Sequence, residues 1–412
     1  MYGGINMPPS TKILACFFSS EAHLLIGSRL HNTLHQITKQ KINRQIPASK
    51  LTFLPTMPAK FTFGIELEYI VPYIFTGEDD PEPKEKRYID RTAKPATGPE
   101  GFSTEQSDII DEMIFERVRK TLQHVGLPAK KMGRLEPGEL PSQWEAGIDE
   151  SLVETDEMVK LYKGDRFIPL EVRSPVLPVD KSGFRAARLA IDALVSKHRL
   201  FVTDTCGYHV HVGQGKAGFS LPALKNIGAF IWVFEPQLAS LHPENRHTNG
   251  YAMSMRKRAN ISRHAKDLRE GIREIYAQTT ARKLIYLLHK TDDEYEEFES
   301  DAIFVRLMSY NFTNLAHKDG KQTIEFRQFC STTDSLDVKM WAEVCTGIVA
   351  ACVQKGEAEW STFLHAAATA EEKKLKEVMK IGDLLRKIGM ADQAAWAEDR
   401  SKKVKSGVCS VQ

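Results

Sequence analysis

Four short stretches of the sequence place ionisable side chains at alternate positions. Carboxylates and imidazoles bind divalent metal ions, while guanidinium groups bind phosphate or carboxylate. Metal ligands beside arginines therefore indicate phosphoryl transfer, in which charge is neutralised while the reacting groups are positioned. The stretches are "FGIELEYI" with Glu66 and Glu68, "IPLEVRSPVLP" with Glu171 and Arg173, "CGYHVHVG" with His209 and His211, and "QTIEFRQF" with Glu325 and Arg327.

A spacing of two residues puts both side chains on the same face of a β-strand, so the four stretches are predicted to be strands. Their intervening positions are apolar, as at Ile65 and Leu67. The Cα atoms of Glu66 and Glu68 should lie about 6.6 Å apart, which suits two neighbouring metal ions better than chelation of one. We expect the strands to form one polar floor that collects Glu66, Glu68, Glu171, His209, His211 and Glu325.

Each stretch taken alone also has a simpler explanation. The two glutamates of the first fit the solvated face of an edge strand, and a histidine pair is often structural. Glu325 and Arg327 fit a surface ion pair worth under about 1 kcal/mol. The construction that all four share favours the floor instead, and its carboxylate and imidazole donors suit Mg²⁺ or Mn²⁺.

Segments with helical periodicity alternate with the strands, which predicts an α+β domain. Because the strands have unlike faces, we expect a mainly antiparallel sheet with one open polar face and helices on the other side. The segment Thr76 to Gly101, rich in proline, glycine and charge, is predicted as a surface loop. Helices are expected at Asp108 to Val125, Gly183 to His198, Leu221 to Leu241, Leu268 to His289, from Asp337 onward, near Ala370 to Met379 and near Gly382 to Met390, and a further strand at Phe304 to Leu315.

Composition limits the class of protein. With 42% hydrophobic residues and a formal charge of +2 over 412 residues, the chain should bury a core, and nothing favours nucleic acid as a partner. Six cysteines without C-x-x-C pairs and no apolar run of membrane-spanning length predict a cytoplasmic protein. We expect an extension at 1–57, a catalytic domain at 58–356, helices packed on it at 357–398 and a basic tail at 399–412.

Both ends of the chain carry further signals. The acid-poor first 57 residues are compatible with a mitochondrial presequence, but a disordered extension or a later start at Met57 is favoured. The last four residues, Cys409 to Gln412, fit the C-a-a-X prenylation pattern, with Arg400, Lys402, Lys403 and Lys405 upstream. A prenyl chain with a basic patch predicts peripheral membrane attachment through Cys409. The alternative is a chance terminal cysteine on a solubilising tail.

A glycine-rich loop follows the two histidines. Gly213 to Gly218 fits G-x-G-x-x-G, the pattern of dinucleotide-binding loops. The preceding strand is polar on one face, however, and no run of βαβ units surrounds it. We therefore interpret the loop as a turn at the edge of the site.

The order of these motifs resembles the amidoligase family, carboxylate-amine ligases of the glutamine synthetase and glutamate-cysteine ligase superfamily. The matching pieces are "FGIELEY", "WEAGIDESL", "LEVRSPVL", "CGYHVHVG", "FEPQLASLHPENR", "YNFTNL" and "TIEFRQF", between about Phe61 and Ile348. Two departures stand out. Relatives tend to have Asp-Gly-Ser where this chain has Asp149-Glu150-Ser151, and a Gly-Thr pair where it has "CSTTD" from Cys330.

The resemblance implies a glutamine-synthetase-like curved sheet and assigns roles to individual residues. Glu66 and Glu68 would serve different metal ions, and His209, Glu325 and Glu171 would be further metal ligands. Arg327 would contact phosphate, and His211 substrate or nucleotide. Arg173 is a further catalytic candidate on the basis of its side chain alone, as a guanidinium donor to phosphate or carboxylate. The remaining candidates, expected to bind ATP, are Arg246, Arg306 and Asn314.

The expected reaction is ATP-dependent amide formation through an acyl phosphate, with Mg²⁺ or Mn²⁺ as cofactor. Its substrates would be a carboxylate and an amine, each a small molecule or a peptide. Two other functions remain open. One is a zinc-dependent amidohydrolase that uses His209 and His211. The other is a membrane-tethered binding protein that keeps the fold without the chemistry.

Overall fold

A computed structural model describes residues 61–94, 104–134, 136, 138–216, 218–290, 306–316, 320–376 and 378–406. All of them lie in one compact unit, Leu54–Gln412. The other unit, Met1–Phe53, lies outside the described residues, and so do the rest of the predicted N-terminal extension and the C-a-a-X cysteine, Cys409.

Nine strands form a single sheet within the described segments. In chain order they are β1 (Thr62–Phe75), β2 (Asp90–Thr92), β3 (Ala129–Lys131), β4 (Trp144–Ile148), β5 (Phe167–Arg173), β6 (Leu177–Pro178), β7 (Gly207–Gly213), β8 (Tyr310–Asn311) and β9 (Thr323–Cys330). The sheet order is β3-β4-β5-β1-β7-β9-β8, with β2 and β6 also paired to β1. The path does not close, so the sheet is open and uncurled where we expected curvature.

The sheet is mainly antiparallel, as predicted. Only the pairs β1–β2 and β3–β4 are parallel among the described strands. The 14-residue β1 is the central strand, flanked by β5 and β7. Its odd-numbered side chains from Phe63 to Tyr69 enter the core, which leaves Glu66 and Glu68 on the opposite face.

Thirteen α-helices occur in the described segments. They are α1 (Thr104–His124), α2 (Asp156–Tyr162), α3 (Lys181–Lys197), α4 (Leu221–Ala239), α5 (Asn245–Thr248), α6 (Met255–Arg258), α7 (Ile261–His264), α8 (Leu268–Ala277), α9 (Ala281–Leu288), α10 (Ser335–Gln354), α11 (Glu357–Glu372), α12 (Ile381–Lys387) and α13 (Ala391–Lys405). A short 3₁₀ helix, Thr313–Leu315, follows β8. The α+β class is confirmed.

Helix α10 fixes the apolar face of the sheet. It begins after Asp334, whose side chain accepts a hydrogen bond from the Leu336 backbone N–H. The helix packs against α3, α4 and β7, and the hydroxyl of Tyr208 in β7 donates to the Val338 carbonyl at 2.8 Å. Burial on this side holds the opposite, polar face in register.

Three sequence predictions of secondary structure are wrong in part. The segment predicted as a loop contains β2, and buried Arg199 donates to both carboxylate oxygens of Asp80 there. The helix predicted at Leu268 to His289 is two helices, because Thr280 caps a new start. Of the strand predicted at Phe304 to Leu315, only Tyr310–Asn311 forms within the described residues.

The C-terminal region also differs from expectation. Helix α11 lies at Glu357–Glu372, not near Ala370 to Met379, and α13 continues to Lys405 through the segment predicted as a tail. Arg400 is buried, where it donates to the Leu241 carbonyl and pairs with Asp337. It is therefore a packing residue and not part of an exposed basic patch. None of the helices in the described segments combines the length and hydropathy that a membrane span requires.

Candidate active site

The register of the central strands brings the predicted residues together. Glu66 lies opposite Arg173 of β5 on one side and His209 of β7 on the other. Glu68 lies opposite Glu171. One strand further, His211 lies opposite Glu325 of β9. The polar floor inferred from side-chain alternation is therefore present on this sheet face, since all these residues share it.

Two groups of ligand atoms lie on the floor. Group A consists of Glu66, His211 and Glu325, and the atoms that they offer lie within 4.8 Å of one another. The Nε2 atom of His211 is 3.1 Å from Glu66 Oε1 and 3.7 Å from Glu325 Oε1. This group has the spacing needed to hold one metal ion.

Group B consists of Glu68, Asp149 and Glu171, again within 4.8 Å of one another. Glu68 accepts a 2.5 Å hydrogen bond from the Gly207 backbone N–H. Asp149 follows β4 and is held by Ser151, which donates to it through both its backbone N–H and its hydroxyl. Although this chain has Asp-Glu-Ser here, the serine therefore still holds the aspartate in place.

His209 lies between the two groups. Its Nδ1 atom is 3.4 Å from Glu66 Oε2 and 3.7 Å from Glu325 Oε1, while its Nε2 atom is 3.5 Å from Glu68 Oε1. The ring thus touches carboxylates of both groups. The predicted division of labour, with His209 as metal ligand and His211 as substrate contact, stays a prediction, and the geometry gives His211 a ligand position as well.

Burial sets the ionisation of the floor. Burial raises the pKa of Glu68 to about 8, with Asp149 and Glu171 adding to the rise. Burial and the charge of Glu66 raise the pKa of Glu171 to about 7. For Glu66 burial is outweighed by His211 and Lys321, which hold its pKa well below the ordinary value. Group B is therefore a place where charge on the carboxylates is unfavourable without a cation.

The donors fit a divalent cation. His211 Nε2 is buried and makes no hydrogen bond, although two carboxylates lie near it. Burial lowers the pKa of His209 to about 4, so its ring is neutral at pH 7, the form that binds metal. The oxygen-rich donor set is the kind that Mg²⁺ and Mn²⁺ prefer.

The two arginines predicted to be catalytic are on the floor. Arg173 contacts Glu171 at 2.6 Å and lies 3.9 Å from Glu66. Arg327 pairs with Glu325 and also donates to the Tyr251 carbonyl at 3.3 Å. Arg173 lies beside both groups and Arg327 beside group A, so each guanidinium can meet an anion that is bound there.

The three residues that were predicted to bind ATP lie in different environments. Arg246 is only 1% exposed, and its guanidinium donates to the carbonyls of Arg327 and Gln328. It supports the backbone at the irregularity between β7 and β9. Asn314 donates to Thr323 at 3.4 Å, at the group A end of the floor. Arg306 is exposed and lies in a turn shortly before β8. Nucleotide binding by all three stays a prediction.

Two site residues were missed from the sequence. Asp149 lies in the matched piece "WEAGIDESL", where only its turn was considered. Lys321 places its Nζ atom 3.2 Å from Glu66 Oε1. Gln322, between Lys321 and β9, has a left-handed backbone, so strand alternation gives no signal for Lys321.

A pocket adjoins group A. Its polar side includes Glu66, Arg173 and Lys321, and its apolar side comes from loops before β4 and after β5: Leu140, Pro141, Pro175 and Val176. The two loops are joined, because the Val176 backbone N–H donates to the Pro141 carbonyl at 2.9 Å. We call this cavity the edge pocket.

Gly207 is a close-packed point on the floor. A Cβ atom there would lie 2.6 Å from His209 Nε2 and 3.1 Å from Glu68 Oε2. We expect Gly207→Ala to cost about 1–3 kcal/mol of folding stability through overpacking and to weaken cation binding. Denaturant unfolding and Mn²⁺ titration measure both effects. The control is Gly250→Ala, because a Cβ at that position meets nothing within 4 Å. Equal folding stability and equal Mn²⁺ affinity of the two variants would contradict the close packing at Gly207.

Comparison with known families identifies the chain. Residues 59–349 match the family described as "Putative amidoligase enzyme", and this range contains every ligand of groups A and B. A comparison with curated proteins returned no match. The match covers more than two thirds of the 412 residues and confirms the resemblance inferred from the motifs. The chain belongs to the amidoligase family.

Proposed function

We propose that the protein is an ATP-dependent ligase that joins a carboxylate to an amine and uses Mg²⁺ or Mn²⁺. The observation that carries this proposal is the pair of groups A and B side by side on one sheet face. Together they offer five carboxylates and one imidazole, a donor set suited to these ions. Family membership supports the ligase chemistry.

In the proposed reaction the carboxylate of the acid attacks the γ-phosphorus of ATP, the bond to ADP breaks, and an acyl phosphate forms. The amine then attacks the acyl carbon, phosphate leaves, and the nitrogen loses a proton. Cations on the floor would neutralise charge on the phosphate groups. The acid and the amine are small molecules or peptides.

The residues of the floor divide the remaining work. Arg327 and Arg173 are proposed to orient the transferring phosphate, since each is fixed by a buried carboxylate. His211 serves as a cation ligand or contacts the nucleotide. The polar face of the sheet, opposite the helices that cover the apolar one, supports a glutamine-synthetase-like use of the sheet.

A release assay tests this proposal. Amino acids and carboxylic acids are screened in pairs for release of phosphate or pyrophosphate from ATP, and we expect release that requires both acid and amine. Glu325→Gln should lower the rate at least about 100-fold, because it removes a group A ligand. The matched control is Glu359→Gln, at an exposed helical ion pair. Amide hydrolysis without ATP by protein holding stoichiometric zinc would instead establish the amidohydrolase.

A further inference from the structure

Lys321 competes for the centre of group A. Its Nζ atom lies 3.2 Å from Glu66 Oε1, the same oxygen that His211 approaches at 3.1 Å. A divalent ion bound by Glu66, His211 and Glu325 would approach this oxygen too. An ammonium group and a metal ion at one carboxylate oxygen repel each other at such distances.

The position of Lys321 allows it to leave. It precedes β9 and lies outside the ladder, which ends at the pair Gly213–Thr323. Gln322, between Lys321 and the strand, has a left-handed backbone with φ of 53°. The Lys321 side chain is 37% exposed, so moving its ammonium into solvent-accessible space costs little desolvation.

The edge pocket offers the displaced ammonium a new location. Lys321 and Arg173 both line it, next to apolar loop residues. With Glu66 occupied by a metal ion, Lys321 would face the pocket without its carboxylate partner, while Arg173 would keep Glu171. An anionic group entering from the pocket would then meet both of them.

We propose that Lys321 is an internal counter-ion that holds group A in the metal-free protein, is displaced by a divalent cation, and then binds the anionic group of a ligand in the edge pocket. Metal binding therefore precedes and strengthens anion binding at this end of the floor, a coupling that is reciprocal. This inference rests on the proposed cation binding at group A but not on ligase chemistry.

Mn²⁺ titration followed by electron paramagnetic resonance tests the displacement without ATP or substrates. The titration uses an Asp149→Asn background, which weakens group B. Lys321→Met should bind Mn²⁺ roughly threefold to tenfold more tightly, because the competing charge is gone. Lys321→Arg, which keeps the charge, should stay near the parent. Lys355→Met, at an exposed helical pair, is the control for loss of one positive charge.

Calorimetry with inorganic phosphate tests the proposed binding of an anionic group by Lys321. With saturating Mg²⁺, Lys321→Met should bind phosphate at least about threefold more weakly than the parent, and without Mg²⁺ the two should differ less. Unchanged or weaker Mn²⁺ affinity in Lys321→Met, with metal-free thermal unfolding like the parent, would overturn the counter-ion role. Equal phosphate affinity at saturating Mg²⁺ would overturn the anion role. Neither readout depends on ligation, so absence of ligase activity would leave both interpretable.

Discussion

Glu66→Gln should remove cation binding at group A and with it the catalytic activity. The two Glu66 oxygens lie near His211 and Lys321 on one side and His209 on the other. A glutamine amide keeps the shape but offers no negative charge to a metal ion. Loss of a residue that merely supports a metal ligand typically costs 10- to 100-fold in affinity, so we expect at least about 100-fold here.

The same substitution should also destabilise the metal-free protein. Without the Glu66 charge, Lys321 loses its charged hydrogen-bond partner and Arg173 loses a nearby buried negative charge at the centre of the sheet. A cost of about 1–3 kcal/mol is expected, measurable by denaturant unfolding with chelator present. Mn²⁺ titration and the phosphate-release assay measure the functional loss, with Glu359→Gln as the matched surface control. Parental Mn²⁺ affinity in Glu66→Gln would show that group A is not a cation site.

Cation binding at group B should strengthen as pH rises. The pKa of Glu68 is raised by burial to about 8, so near pH 7 a proton occupies the carboxyl and must leave when a cation enters. For a single proton with this pKa, Mg²⁺ affinity should be roughly 25-fold higher at pH 8.5 than at pH 6.5. Calorimetry in buffers with different ionisation enthalpies measures the affinity and counts the released protons.

Stability in the metal-free protein should move in the opposite direction. Since the pKa of Glu68 is higher folded than the ordinary 4.5 of an unfolded chain, the folded state binds more protons between these values. The contribution of Glu68 to the free energy of unfolding is complete below pH 4.5 and is lost as pH rises through about 8. The free energy changes by at most about 1.4 kcal/mol per pH unit. Glu68→Gln should flatten both profiles. A parental pH profile in this variant would contradict the assignment to Glu68.

The floor could be predicted because it is built from alternation. Strand side chains point to opposite faces at every position, so Glu66, Glu68, His209, His211 and Glu325 are visible from spacing alone. The stretch that contains Glu171 and Arg173 does form a strand, Phe167–Arg173. What alternation cannot show is the register between strands that are far apart in sequence. That register decides that His211 meets Glu325 and that His209 lies between the groups.

The residues that were missed lie where alternation stops. Asp149 belongs to the turn after β4, and the left-handed Gln322 separates Lys321 from its strand. The misplaced helix has a different cause. Local propensity favours helix across both Glu357–Glu372 and the segment after it, so the boundary depends on packing, as where Trp360 stacks on Phe230. Such tertiary contacts are not encoded in a local pattern.

The two loops that wall the edge pocket have a consequence for diversification of the chemistry. All ligands of groups A and B except Asp149 and its turn are fixed by strand pairing, whereas Leu140, Pro141, Pro175 and Val176 belong to connections outside the strands. Loops accept substitution and insertion more readily than paired strands. Grafting these two segments as a unit, held together by their shared backbone hydrogen bond, can therefore redesign ligand recognition. The ligands of groups A and B on the strands stay unchanged.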